Sequence, residues 1–178
     1  MTNQAADLDM RLRAIRLLTC DVDGVLTDGR IYVDDEGRET KAFFAPDGTG
    51  IGMLQRAGIV VAFISGSPSP SIAHRAKRLG VEHVLLGSDD KLPRWRKLTA
   101  ELGIPATACA HIGDDLPDLP VLRACGFAAT VAHAPEVLRQ HAQYVATRAP
   151  GQGAVREICE LILAAQGKLA GELAAHGA

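Results

Sequence analysis

The sequence predicts an α/β fold, a Rossmann-like parallel sheet with helices on both faces. Short apolar runs rich in Val, Ile, Leu and Ala alternate along the chain with amphipathic stretches of about three turns, which is the pattern of strand–helix–strand units whose strands pair in parallel. The 178 residues contain no internal repeat and no linker-like segment. We therefore predict one domain, residues 1–178.

The predicted strands are the apolar runs. The run at 59–64 is six residues long and rich in β-branched side chains, which favour an extended backbone. Two shorter runs, 31–33 and 38–44, flank the turn-forming residues 34–37 (DDEG), which predicts a protruding β-hairpin at about 31–44. The strands of the main sheet are predicted at 15–20, 59–64, 83–86, 108–112, 127–131 and 144–146.

The predicted helices fill the intervals between the strands. Gly80 and Gly103 each follow an amphipathic stretch and favour the left-handed backbone that ends a helix. Asp47 precedes the first predicted helix and is its predicted N-cap. We expect the chain ends, 1–10 and 167–178, to fray or to make contacts. The helices are predicted at 48–57, 69–79, 91–102, 116–124, 135–141 and 153–166.

Composition excludes several classes of function. The net charge is −2 and acidic and basic residues are interspersed, so no nucleic-acid partner is expected. The longest apolar run is six residues, whereas a membrane span needs about 20, so no membrane partner is expected. The four cysteines form no C-x-x-C pair and lie in or beside apolar stretches, which predicts a reduced, cytoplasmic protein.

Polar residues follow four of the predicted strands at their carboxyl ends. Ligands of open parallel sheets bind outside this edge, so we expect the four polar loops to meet there. Each residue alone has an ordinary explanation as a turn, a helix cap or a surface lysine, and the functional prediction depends on their convergence. The residues are Asp21 and Asp23, Ser65 and Gly66, Lys91, and Asp114 with Asp118.

The carboxylates in these loops predict a metal site. Asp21, Asp23 and Asp114 would repel one another unless a cation neutralised them, and hard oxygen ligands favour Mg²⁺. Opposite the metal, the Ser65 hydroxyl, the Gly66 N–H and Lys91 are suited to phosphate oxygens.

This arrangement suits phosphoryl transfer. Lys91 opens a predicted helix, where the helix dipole disfavours a cation, and a bound anion would explain its position. An aspartate beside Mg²⁺ and phosphate can attack phosphorus. A second carboxyl group two residues further on can protonate the leaving oxygen and then deprotonate the attacking water. The loops therefore predict a phosphatase.

The four loops resemble the motifs of the haloacid dehalogenase superfamily. Within it, the chain is similar to the 3-deoxy-manno-octulosonate 8-phosphate phosphatase family, which acts in lipopolysaccharide sugar synthesis, over roughly residues 14–168. The superfamily motifs are matched, in order, by 21–27 (DVDGVLT), 64–66 (ISG), Lys91, and 113–115 (GDD) with Asp118. The narrower similarity lies in 21–29, 41–43 with 47–48, 113–116, 151–157 (GQGAVRE) and 165–168.

The resemblance implies a role for each carboxylate. Asp21 would be the nucleophile that forms an aspartyl-phosphate, and Asp23 the general acid and base. Mg²⁺ would bind the carboxylates of Asp21 and Asp114 and the backbone carbonyl of Asp23, with Asp118 supporting the site. Ser65, Gly66 and Lys91 would hold the phosphate.

One position departs from the family pattern. Family members read I-[ST]-G-R, and Ser67 stands where that arginine is expected near the substrate carboxylate. We predict that Arg75, one helix further along, compensates, and we assign Asp47 to substrate binding as well. The alternative substrates are a nine-carbon keto-sugar-acid phosphate or a broader set of sugar phosphates.

The spacing of the motifs leaves no room for a cap domain. Only 41 residues separate Asp23 from Ser65, and 25 separate Ser65 from Lys91; predicted elements fill both intervals. This argues against a phosphomutase, and the presence of Asp21, Asp23 and Lys91 argues against a non-catalytic relative. A neighbouring chain would then shelter the pocket. Relatives of this type are capless tetramers that pair such hairpins, so we predict a homo-oligomer, specifically a tetramer. Hydrophobic side chains of the hairpin would make the contact: Ile31, Val33, Phe43 and Phe44.

Overall fold

The structure, a computed structural model, is built around a six-stranded sheet in which every strand pair is parallel. It describes residues 2–175 and 177. The strands are β1 (Leu17–Cys20), β4 (Val60–Ser65), β5 (His83–Leu86), β6 (Cys109–Gly113), β7 (Phe127–Val131) and β8 (Tyr144–Ala146), and β2 (Tyr32–Val33) and β3 (Glu39–Thr40) form a separate hairpin. The sheet order is β5-β4-β1-β6-β7-β8.

Helices follow most of the strands and cover the sheet. The predicted α/β class and the hairpin are both confirmed. The helices are α1 (Thr2–Ala14), α2 (Ala45–Arg56), α3 (Pro70–Leu79), α4 (Lys91–Glu101), α5 (Leu119–Ala124), α6 (Glu136–His141), α7 (Ala154–Ala165) and α8 (Leu169–Ala174). None of the helices between residues 2 and 175 combines the length and the apolar character that a membrane crossing requires.

Two hydrophobic clusters form the core, one on each face of the sheet. Side chains of a strand alternate between the faces, and β1 shows this directly: Leu18 belongs to the cluster that includes Ile51 of α2 and Ile158 of α7, whereas Leu17 belongs to the cluster of Trp95 of α4. Each of these side chains is fully or almost fully buried. Such burial stabilises the fold by about 1.5–3 kcal/mol per side chain.

The predicted start of α2 was wrong. The helix begins at Ala45, its N-cap is Phe44, and Asp47 lies in its first turn. Pro46 explains the difference, because a proline near the start of a helix lacks only an N–H that has no helical partner there. Gly80 ends α3 in the left-handed conformation, as predicted.

The described parts of both chain ends are helical and make contacts with the domain, the second of the two outcomes expected for them. In α1, Arg11 and Arg13 pair with Asp7 and Asp9 one turn earlier, at 2.8 and 2.6 Å. Leu12 on the same helix is buried in the main cluster. A short, polar amphipathic helix of this kind gives a weak hydrophobic pattern, and its packing against the domain was not evident from the sequence.

The two groups of hydrophobic side chains in the hairpin differ in exposure. Ile31 and Val33 are 73% and 59% exposed. Phe43 and Phe44, at the base of the hairpin, are half-buried, and Phe43 packs against the main cluster of the same chain. The surface available to a second chain is therefore the segment 31–33, which is called the outer hairpin segment below.

Candidate active site

One cavity at the carboxyl edge of the sheet collects most of the predicted site residues. β4, β1 and β6 are neighbours, and the loops that follow them, with the loop before α4, surround a volume of about 350 Å³. Asp47 and Arg75 lie outside the lining. The lining residues are Asp21, Asp23, Gly29, Ser65, Gly66, Ser67, Asp89, Lys91, Asp114, Asp115, Pro117 and Asp118.

The loop after β1 places Asp21 at the floor of the cavity. Asp21 is 4% exposed, and its N–H donates to the carbonyl of Ile112 on β6 at 3.0 Å, which extends the parallel ladder by one residue. Gly24 then turns the chain with φ +86°, and a side chain there would overlap the carboxylate of Asp114. The turn therefore requires glycine and brings the loop directly against Asp114.

Lys91 bridges two carboxylates. Its Nζ donates to Asp21 Oδ1 and to Asp118 Oδ1, both at 2.6 Å, and the lysine side chain is only 4% exposed. Burial alone would lower the pKa of Lys91, but the charges of Asp21 and Asp118 outweigh it and raise the pKa above its ordinary value. These two carboxylates explain why a cation lies at the start of α4, where the helix dipole disfavours one. The bound anion inferred from the sequence is not needed to account for the position of Lys91.

Carboxylate oxygens of Asp21, Asp114 and Asp118 lie within 4.8 Å of one another. Burial, followed by the charge of Asp118, raises the pKa of Asp114 to about 6. The same two causes raise the pKa of Asp21 well above its ordinary value, although Lys91 opposes them. Lys91 thus leaves part of the negative charge uncompensated, and the oxygen-rich set fits a divalent cation such as Mg²⁺.

Asp118 is already engaged on both oxygens. Oδ1 accepts from Lys91 and from His111, and Oδ2 accepts from the N–H groups of Asp114 and Asp115 at 3.3 and 3.5 Å. Burial would raise the pKa of Asp118, but the hydrogen bonds and charge of its partners hold it below the ordinary value. Asp21 and Asp114 are therefore better suited than Asp118 to hold a cation.

Asp23 belongs to a different set of contacts. Lys41 Nζ donates to Asp23 Oδ1 at 2.6 Å, and Ser65 Oγ donates to Asp23 Oδ2 at 3.4 Å. The carboxylate of Asp23 is not one of the three whose oxygens lie within 4.8 Å of one another. The side chain of Lys41 is 5% exposed and follows β3 directly, so Lys41 is a site residue to which the sequence assigned no role.

The loop after β4 supplies the predicted phosphate-binding groups. Ser65 is 2% exposed, and its Oγ also accepts from the N–H of Ser67 at 3.1 Å. A side chain at position 66 would overlap Asp89, so the loop approaches that residue closely. Ser67 lines the cavity and offers a neutral hydroxyl where a family arginine was expected.

The structure does not bring Asp47 or Arg75 into the cavity lining. The guanidinium of Arg75 lies over the ring of Phe43, 5.8 Å from its centroid. Asp47 is 1% exposed; its Oδ1 accepts from the N–H of Arg156 at 2.8 Å, and its Oδ2 has no hydrogen-bond partner among the described residues. In this single chain, Asp47 supports the start of α7. Burial raises its pKa to about 6.

The segment before α7 contacts the loop that carries Asp21. The N–H of Gly151 donates to the carbonyl of Val25 at 3.0 Å. Gly151 has φ +61°, and a side chain there would overlap the backbone of Thr27 and Asp28. The 151–157 segment therefore buttresses the loop that carries Asp21.

Proteins similar to this chain are known in both sequence and structure. A family model of haloacid dehalogenase-like hydrolases matches residues 47–126. The 3-deoxy-D-manno-octulosonate 8-phosphate phosphatase KdsC of Yersinia pestis is 46% identical over 167 residues, which cover 94% of this chain and 89% of that protein. KdsC of Escherichia coli strain K12 is 43% identical over 165 residues, 93% and 88% of the two chains. A crystal structure of the phosphatase from Moraxella catarrhalis, in complex with a magnesium ion, a phosphate ion and a KDO molecule, matches with a TM-score of 0.94 at 44% identity and covers 96% of this chain and 98% of that chain.

Proposed function

The chain belongs to the 3-deoxy-D-manno-octulosonate 8-phosphate phosphatase family of the haloacid dehalogenase superfamily, and from this membership we propose that it hydrolyses 3-deoxy-D-manno-octulosonate 8-phosphate to the free sugar acid and phosphate. The observation that carries the proposal is the buried contact of Lys91 with Asp21, in a cavity that also presents Asp23 and Asp114. A nucleophilic carboxylate, a cation and a second carboxyl group are what this chemistry requires.

In the first step, a carboxylate oxygen of Asp21 attacks phosphorus and the bond from phosphorus to the sugar oxygen breaks. Asp23, in its protonated form, gives its proton to that leaving oxygen. The product on the protein is an aspartyl-phosphate at Asp21.

In the second step, Asp23 takes a proton from a water molecule whose oxygen attacks phosphorus. The bond between phosphorus and Asp21 breaks and phosphate is released. Lys91 lies 2.6 Å from Asp21 Oδ1, close enough to neutralise charge on the transferring group in both steps. The Ser65 hydroxyl and the Gly66 N–H complete the phosphate-binding set.

The cofactor is Mg²⁺, which fits the uncompensated carboxylate oxygens of the cavity. Asp21 and Asp114 would hold it through their carboxylates and Asp23 through its backbone carbonyl. When bound, Mg²⁺ supplies positive charge that offsets the repulsion between a phosphate dianion and the carboxylates.

The preferred sugar acid depends on Ser67 and on the groups around it. A serine hydroxyl can donate one hydrogen bond to a carboxylate, whereas an arginine can donate two and carries a charge. Arg75 would have to leave the ring of Phe43 to reach the substrate. A nine-carbon keto-sugar-acid phosphate therefore remains the second candidate substrate.

A substrate panel tests this function. The purified protein with Mg²⁺ is assayed for phosphate release from eight- and nine-carbon keto-sugar-acid phosphates and from simple hexose phosphates. We expect the highest kcat/KM on the eight-carbon substrate. A higher kcat/KM on a nine-carbon substrate would select the alternative, and no release from any phosphomonoester would refute the proposed function.

The same proposal extends to assembly and location. The protein would work in lipopolysaccharide sugar synthesis, in the cytoplasm, as one domain of residues 1–178 that assembles into a homotetramer. Support for assembly comes from the outer hairpin segment, where Ile31 and Val33 are exposed, and from the absence of a cap over the cavity among residues 2–175. A hydrophobic surface on a small protruding hairpin favours pairing with a second copy.

A further inference from the structure

His111 is a fully buried histidine that the proposed mechanism does not use. It lies on β6 with no exposed surface. Desolvating an imidazole is costly unless both ring nitrogens have partners, and here both have. Nδ1 lies 2.8 Å from Thr19 Oγ1 and 3.1 Å from the Thr19 carbonyl oxygen, and Nε2 lies 2.9 Å from Asp118 Oδ1.

The contacts of Asp118 determine which ring nitrogen carries a proton. Asp118 Oδ1 already accepts a hydrogen bond from Lys91 Nζ at 2.6 Å. This oxygen acts as an acceptor, so Nε2 of His111 must be the donor. Nε2 of the imidazole is therefore the hydrogen-bond donor to Asp118, while the contact of Nδ1 with the Thr19 hydroxyl, at 2.8 Å, fixes the orientation of the ring.

His111 is also the strongest anchor of Asp118 apart from the lysine itself. The contacts to Asp118 Oδ2 come from two backbone N–H groups at 3.3 and 3.5 Å, which are long for hydrogen bonds. Without the 2.9 Å contact from His111, only Lys91 and these long contacts would hold the carboxylate. The Asp118 carboxylate and the Lys91 ammonium could then shift together, away from the position beside Asp21.

We propose that His111 is a positioning residue for phosphate binding: its Nε2–H holds the carboxylate of Asp118 where that carboxylate anchors the Lys91 ammonium beside Asp21. The inference rests on the proposed function, because Lys91 matters here as a phosphate-binding cation. A contiguous series of contacts connects Thr19 on β1 with the nucleophile on the loop that follows the same strand. Residues in the core of the sheet thereby determine the position of the Lys91 ammonium.

The test compares two replacements of His111 that differ in whether they keep the donor. His111→Gln carries an amide N–H at about the position of Nε2, whereas His111→Leu fills a similar volume without a donor. Cys109→Ala is the matched control, because Cys109 lies two residues earlier on the same strand, points to the same face and is equally buried. Calorimetric titration with inorganic phosphate in saturating Mg²⁺ gives the dissociation constant for each variant, and thermal unfolding checks that each is folded.

We expect His111→Leu to bind phosphate about tenfold more weakly, the effect of losing one hydrogen bond to a charged group. His111→Gln and Cys109→Ala should bind within about threefold of the wild type. The proposal is overturned if His111→Leu binds phosphate normally, if His111→Gln is weakened as much as His111→Leu, or if Cys109→Ala is weakened equally.

A substitute variant and an activity measurement complete the test. Should His111→Leu fail to fold, His111→Asn replaces it, because its shorter amide does not reach Asp118 and the Gln–Asn pair makes the same comparison. Phosphate release by the wild type is measured in the same samples. Absence of that release refutes the proposed function, whereas normal release with unaltered phosphate binding in His111→Leu refutes only the role of His111.

Discussion

At the scale of single residues, two buried lysines divide the carboxylates of the cavity into two sets. Lys91 contacts Asp21, the proposed nucleophile, and Lys41 contacts Asp23, the proposed acid and base. The side chain of Asp23 is 34% exposed, so its ionised form remains partly hydrated even without its lysine. The role of Lys41 is therefore separable from stability, which makes it testable.

Lys41→Met should lower kcat for phosphate release by about 10–100-fold while leaving the protein folded. Acid–base catalysis contributes about 10²–10⁴-fold, and a carboxyl group that loses its 2.6 Å partner should lose part of that contribution through poor orientation. Steady-state kinetics and thermal unfolding measure the two effects. Lys97→Met is the control, since the Lys97 side chain is 79% exposed and lies 3.9 Å from Glu101. Wild-type kcat in Lys41→Met would show that Lys41 has no part in catalysis.

The site residues that could be predicted from the sequence differ from those that could not in how they reach the cavity. Lys91 was found because it stands between strands in the expected motif order. Lys41 and His111 were missed because each reaches the site through the fold: Lys41 returns from the hairpin to Asp23, and His111 lies within a strand whose pattern reads as core. The available signals were the family similarity of 41–43 for Lys41 and, for His111, a polar side chain in an otherwise apolar run.

At the scale of elements, the start of α7 connects α2 with the loop that carries Asp21. Asp47 of α2 accepts from the N–H of Arg156 in the first turn of α7, and Gly151 just before α7 donates to Val25 in that loop. α2 and α7 also pack against each other in the main cluster. Asp47 and Gly151 allow separate tests of this connection.

Asp47→Asn should stabilise the protein more at neutral than at acid pH. The pKa of Asp47 is raised from 3.8 to about 6 by burial, so between these values the folded protein holds a proton that the unfolded chain has released. Wild-type stability therefore falls as pH rises through this window. The difference in unfolding free energy, variant minus wild type, should increase by about 2 kcal/mol from about pH 4.5 to about pH 7.5.

Urea unfolding at the two pH values measures this difference. Asp35→Asn, at an exposed position in the hairpin, is the control, and such a surface substitution should change the unfolding free energy by no more than about 0.5 kcal/mol. A pH-independent difference for Asp47→Asn would mean that the buried carboxyl group does not titrate in this range.

Gly151→Ala should lower phosphate release by about tenfold or more, because its methyl group would displace the backbone of Thr27 and Asp28 next to the catalytic loop. Gly167→Ala is the matched control. Gly167 has a similar φ of +68° and open space around it, so that variant carries only the cost of the left-handed backbone, about 1 kcal/mol. Equal activity of the two variants would separate the 151–157 segment from the site.

The interior elements were predictable and the ends were not. β5, β7 and β8 have the predicted bounds, because each is a short, mostly apolar run. α1 and α8 were missed because partly exposed terminal helices depend on packing against α7, which local pattern does not encode.

At the scale of the whole molecule, the cavity is open in a single chain. Ile31, Tyr32 and Val33 are three consecutive hydrophobic side chains that are exposed in the single chain. The sequence had placed Phe43 and Phe44 in the same contact, but Phe43 packs on its own domain. Any contact between chains is therefore expected at the outer hairpin.

Light scattering at micromolar concentration should give about four times the 18.8-kDa chain mass for the wild type. The double variant Ile31→Glu, Val33→Glu should give a smaller mass and lower activity, because charges replace the exposed hydrophobic contact. Met10→Glu, also at an exposed hydrophobic position but on α1, should leave the mass unchanged. A fully active wild-type monomer would contradict the proposed assembly.

The proposed mechanism depends on attack of the Asp21 carboxylate on phosphorus, so the decisive measurement replaces that carboxylate by an amide. Phosphate release from 3-deoxy-D-manno-octulosonate 8-phosphate is measured with Mg²⁺ for the wild type and for Asp21→Asn, each shown to be folded by thermal unfolding. We expect Asp21→Asn to lose at least about 1,000-fold in kcat, because an amide cannot form the aspartyl-phosphate. Turnover by a folded Asp21→Asn protein at a rate near that of the wild type would contradict the mechanism.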